Sequence, residues 1–105
     1  MDEMSLTVVV ATFDARPGCE GAVAAALARY VVMSRGTPGC RNIDLVASLT
    51  TEGRFVIYEK WGSADDQSAH LASPLTADMA ATVTPLLARS PDLGLFEALS
   101  AHDLV

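Results

Sequence analysis

The segment FVIYEKWGSADDQSAH, Phe55 to His70, changes its periodicity half-way. Up to Trp61 the side chains alternate: Phe55, Ile57, Glu59 and Trp61 fall on one side of an extended chain, and Val56, Tyr58 and Lys60 on the other. GSADD then opens a helix, with Ser63 as its N-cap and Asp65 and Asp66 in the first turn, where the helix dipole favours negative charge. A strand thus runs directly into a helix carrying Ala69, His70 and Leu71, which Pro74 interrupts.

Upstream, LTVVVATF (Leu6–Phe13) is rich in β-branched residues and apolar on both alternating sets, so this strand needs cover on both faces. Pro17-Gly18 ends it. From about Cys19 to Ser34, Val23, Ala26, Leu27, Tyr30 and Val31 recur at helical spacing, and RGTPGC (Arg35–Cys40) closes that helix. A second strand is predicted from Arg41 to Leu49, with a turn at Thr51–Gly53 before the third strand at Arg54–Trp61. Downstream, Leu75–Leu87 has helical spacing with Pro85 as a kink, SPDLG is a loop, and Leu93–Leu99 alternates as a last strand. The order β-α-β-β-α-β is that of an α+β, ferredoxin-like domain with a four-stranded antiparallel sheet, and one such domain is expected over residues 1–105. Its helices cover one face of the sheet. Because several strands are apolar on both sides, a second copy is expected on the bare face, giving a homodimer.

Composition narrows the partners. The net charge is −6, Lys60 is the only lysine and the arginines are scattered, so nucleic acid and anionic membrane surfaces are disfavoured. The acidic start MDEMSL lacks the basic residues of a secretory leader, no apolar run is long enough to span a bilayer, and a cytoplasmic location is expected. Cys19 and Cys40 form no zinc-ligand spacing, and no metal site is expected.

Two stretches carry a resemblance. RPGCEGAVAAALARYVVMSRGTPGC (Arg16–Cys40) resembles the first half of antibiotic biosynthesis monooxygenase domains, with a Pro-Gly turn, a helix and a Thr-Pro-Gly-Cys step into the second strand. FVIYEKWGSADDQSAHLAS (Phe55–Ser73) resembles the second half, a strand ending in Glu-x-Trp before a short helix carrying His. The resemblance covers about residues 6 to 90 and implies a dimeric α/β barrel. It further implies oxygenation of a small hydroxylated aromatic, of quinol or anthrone type, by O₂ with no cofactor. A haem-degrading branch of the same superfamily is disfavoured, because its Asn on the first strand is missing and its haem-ligating His position falls near Met79 and Ala80.

Such chemistry needs a base, a polar group for developing charge and apolar walls. His70 is the candidate base, since imidazole titrates near neutrality; the bland alternative is a core or capping histidine. His102, in the tail, is expected to be solvated. Glu59 is the candidate partner carboxylate, with an ion pair to Arg54 or Lys60 as the plainer reading. Trp61, Tyr30, Met79 and Phe55 are candidate substrate contacts, although their spacing suits an ordinary core equally well. Asn42 and Asp44 share a face of the second strand, where they are able to meet a ligand or a partner chain. A non-catalytic ligand-binding or stress-associated module, and an isomerase or lyase using the same cavity, stay open as alternatives.

Overall fold

The computed structural model describes residues 5–100. Four strands, β1 (Thr7–Asp14), β2 (Cys40–Ala47), β3 (Arg54–Trp61) and β4 (Asp92–Glu97), form one antiparallel sheet in the order β2-β3-β1-β4. Three helices, α1 (Glu20–Ser34), α2 (Ala64–Leu71) and α3 (Pro74–Val83), lie in the connections, and a 3₁₀ turn at Thr84–Leu86 follows α3. This is the ferredoxin-like architecture expected from the sequence. His102 lies outside the described residues.

β1 (Thr7–Asp14) is displaced by one residue from the expected Leu6–Phe13, and β4 starts at Asp92, one residue before the expected Leu93; other boundaries differ further. The predicted helix Leu75–Leu87 starts one residue earlier and stops at Val83, because Pro74 is accommodated at the first helical turn whereas Pro85 has no N–H to continue the ladder. β2 begins at Cys40 with a register shift between Cys40 and Asn42, and it ends at Ala47 rather than Leu49. β4 ends at Glu97, short of Leu99. The expected N-cap holds: the Ser63 side chain accepts from the Asp66 N–H at 3.1 Å, and Ser73 does the same for Thr76 at the start of α3.

Strand parity sorts the sheet into two faces. The core between sheet and helices holds Ala11 and Phe13 of β1, Ile43 of β2 and Ile57 of β3, packed against Val23, Ala26, Leu27, Tyr30 and Val31 of α1. All five α1 residues predicted as the apolar stripe are buried. On the opposite face Leu6, Val8 and Ala98 form a smaller cluster with Val10 and Tyr58 against it. At the strand ends Arg54 holds Asp14 through two hydrogen bonds, 2.8 and 3.0 Å, so the β1 and β3 termini are clamped by charge.

Gly39, at the α1–β2 junction, has φ +86°, and a Cβ there would run into the Asp66 carboxylate. Both the left-handed backbone and the close approach require glycine. Gly39→Ala is therefore expected to cost about 1–3 kcal/mol. Urea unfolding at neutral pH measures it, and a loss below about 0.5 kcal/mol would show that the junction relaxes freely.

Candidate functional site

A cavity of about 250 Å³ lies between the sheet and the α2–α3 pair. That is just below the range of roughly 300–1,000 Å³ usual for ligand pockets. Its buried walls come from Val9, Ala11 and Ile57 of the sheet and Val83 of α3, and its exposed rim from Ala80, Thr84, Pro91, Asp92 and Leu93. Into the deep end project Glu59 from β3, Gln67 and His70 from α2, and Tyr30 from α1.

The local sequence explains this convergence. Glu59 and Trp61 are two apart on a strand, hence on the same face, and the indole Nε1–H donates to Glu59 Oε1 at 2.8 Å. Gln67 and His70 are three apart on α2 and both buried, so they share the inward side of that helix. Tyr30 and Ser34 are four apart on α1, and both reach the imidazole: Tyr30 Oη lies 2.8 Å and Ser34 Oγ 3.3 Å from His70 Nε2. The Trp61 ring stacks on His70 at 4.6 Å between centroids.

Hydrogen-bond counting orients the imidazole. The Thr76 hydroxyl donates to the His70 carbonyl at 2.7 Å and has no proton left for Tyr30, 3.3 Å away, and the single Tyr30 proton serves either Thr76 or the Glu59 carboxylate. Tyr30 Oη then accepts from His70 Nε2–H. The other nitrogen, Nδ1, is buried without a partner, and an unfilled lone pair there is less costly than an orphaned N–H. His70 is thus the Nε2–H tautomer, with its basic lone pair on Nδ1.

Burial dominates the electrostatics. It pushes the Glu59 carboxyl above its ordinary range, against the opposing pull of the Trp61 and Tyr30 donors. It lowers the His70 imidazole, which favours the neutral form. Burial and then the nearby Glu59 charge push the Tyr30 phenol up to about 12, so it stays protonated. The Cys40 thiol is raised by the same two causes. The arrangement therefore offers a neutral imidazole, a reluctant carboxylate and a fixed hydroxyl beside apolar walls.

Four of the candidate residues, His70, Glu59, Tyr30 and Met79, meet at this cavity. Trp61 and Phe55 do not line it: Trp61 stands behind Glu59 and His70 as their support, and Phe55 packs against the core cluster. The plainer reading of Glu59 is corrected in one respect, since Arg54 is engaged by Asp14 and Glu59 takes the Trp61 N–H instead. Asn42 and Asp44 bond each other at 3.0 Å on the exposed side of β2, with Arg35 reaching Asp44, away from the cavity. Sequence reading passed over Ser34, Gln67 and Thr76. The helical offsets of Ser34 from Tyr30 and of Gln67 from His70 were the available signals, whereas Thr76 had none. Cys19 and Cys40 are free thiols, and no group of metal-ligating side chains assembles among the described residues.

The sequence model of the family "Antibiotic biosynthesis monooxygenase" matches residues 7–82. The chain belongs to that family. No curated protein matches it significantly. Among solved structures, Rv0793 from Mycobacterium tuberculosis superposes with a TM-score of 0.86 at 28% identity, covering 93% of this chain and 99% of that one. A candidate antibiotic biosynthesis monooxygenase from Nitrosomonas europaea gives 0.87 at 20% identity, over 93% and 94% of the two chains. A second Nitrosomonas europaea protein, NE2512, of unknown function, gives 0.85 at 21% identity over 99% of each.

Proposed function

We propose that this member of the antibiotic biosynthesis monooxygenase family is a cofactor-independent monooxygenase acting on a small hydroxylated aromatic of quinol or anthrone type. The observation that carries the reading is the meeting of a neutral, buried His70 and the Glu59 carboxylate in one otherwise apolar cavity. His70 assists removal of a substrate proton, and the electron-rich anion so formed reacts with O₂. For an anthrone the balance is a methylene carbon becoming a carbonyl: one oxygen atom enters the product, and the other leaves as water with the two methylene hydrogens. Val9, Ala11, Ile57 and Val83 keep water from the anion. No helix among the described residues is long and apolar enough to cross a membrane, and a cytoplasmic site of action is part of the proposal.

The proposal includes a homodimer formed through the bare face of the sheet. Phe96 and Val46 on that face are 54% and 53% exposed, and an apolar sheet face of this kind calls for cover. The protein is expected to sediment as twice its 11.0 kDa chain mass at micromolar concentration; a monomer would remove this part of the reading.

Oxygen uptake tests the activity. With a panel of anthrones and hydroquinones, wild-type protein is expected to consume O₂ well above autoxidation. Turnover that proceeds unchanged under nitrogen would mark an isomerase or lyase, and tight binding without uptake a binding module.

A further inference from the structure

Both acidic side chains on the cavity wall stand where a ligand must pass or lodge, and among the described residues no Lys or Arg lines the cavity. The two are not equivalent. Asp92, on the exposed rim, is answered by Arg89, whose Nη2 lies 2.6 Å from it and whose Nη1 reaches Asp14 at 3.4 Å. Glu59, 6% exposed at the deep end, is met by neutral donors, the Trp61 N–H on one oxygen and the Tyr30 phenol, and the neutral His70 imidazole lines the same cavity. An ionised carboxylate accepts about four hydrogen bonds. The indole and the Tyr30 hydroxyl fill at most two of them, and a buried carboxylate with spare acceptor capacity gains most from a donor that arrives with the ligand.

We propose that Glu59 determines the ligand class of this cavity: the ligand presents a hydroxyl or a protonated amine to the Glu59 carboxylate, and aromatic acids are turned away. This rests on the reading of the cavity as the ligand site, and it deepens that reading. A second carboxylate lodged beside Glu59 meets like charge in a site of low effective dielectric with no cation to offset it. A phenol must accordingly enter neutral and lose its proton inside.

The test uses three naphthalene probes that differ only in one substituent: naphthalenemethanol, protonated naphthylmethylamine and naphthoate. Binding is read at neutral pH from the NMR shifts of the Gln67 side-chain amide and the Met79 methyl, both on the cavity wall. In the wild type the alcohol and the amine are expected to bind, with naphthoate about 100-fold weaker. In Glu59→Gln the naphthoate penalty is expected to shrink to within about tenfold and the amine to lose affinity. Naphthoate binding within about threefold of the alcohol in the wild type, or an unchanged ratio in Glu59→Gln, overturns the proposal. If that happens while quinol-dependent O₂ uptake persists, charge selection alone has failed. If no probe shifts either reporter, the cavity reading falls with it.

Discussion

Trp61→Ala is expected to destabilise the fold by about 3–5 kcal/mol, the largest single-residue loss considered for this chain. The indole is fully buried, so its removal leaves a cavity beneath β3 and α2. It also strips Glu59 of its 2.8 Å donor, leaving a buried carboxylate less well satisfied, and it removes the ring on which His70 rests. Trp61→Phe separates these contributions, because phenylalanine keeps most of the packing and loses the N–H. Its expected cost is about 1–3 kcal/mol. Trp61 is the only tryptophan, so unfolding in urea is followed by circular dichroism rather than fluorescence. A Trp61→Ala loss below about 1 kcal/mol would mean that the indole is not the support described here.

His70→Ala is expected to lower O₂ uptake at least tenfold, equivalent to about 1.4 kcal/mol of barrier, chiefly in kcat. Uptake that survives the substitution would keep the enzyme and discard His70 as its base. Burial holds the imidazole below its ordinary value of 6.5, so the base form persists as pH falls through that value. The acid limb of the rate profile is therefore expected below pH 6.5.

The same shifts act on stability in opposite senses. His70, with its folded value depressed, contributes stability that is present above 6.5 and is lost as pH falls through the folded value. Glu59, with its folded value raised, contributes stability that is present below its ordinary 4.5 and is lost as pH rises through the folded value. Where these windows overlap, wild-type stability changes little with pH. Glu59→Gln unmasks a loss on acidification, and His70→Ala unmasks a loss as pH rises from 4.5. Parallel denaturant titrations across that range check both. Identical pH slopes in the wild type and the two variants would show that neither group is perturbed as described. Glu59→Gln is also expected to be more stable than wild type at neutral pH, by roughly 1–2 kcal/mol, because it removes a buried charge and keeps an acceptor for the Trp61 N–H. Stability forgone at such a position fits a residue retained for its chemistry.

Much of this architecture was legible because it rests on short-range periodicity. The α1 stripe Val23–Val31 and the alternation of β3 each follow from the angle at which successive side chains leave the backbone. Ser63 as a cap and Pro74 as an opener follow from local donor and acceptor needs. The strand ends were less legible: beyond Ala47 and Glu97 one more backbone bond forms at each end, Ser48 N–H to the Arg54 carbonyl and Ala98 N–H to the Leu6 carbonyl, both at 2.9 Å, and where such a ladder stops is a property of the pairing.

The site divides along the same line. Sequence by itself determined that Glu59 and Trp61 share a strand face, that His70 rides the helix which follows, and that the chain has the order of a ferredoxin-like fold. It did not determine that Trp61 supports the site from behind rather than walling the cavity, or that Tyr30, forty residues away along the chain, fixes the tautomer of His70. Those outcomes depend on how α1 and α2 pack across β3, and the distances between their side chains are set by the whole sheet–helix interface. Local rules reach three or four residues along a helix and two along a strand; the partners of a buried polar group lie wherever the packed layers bring them.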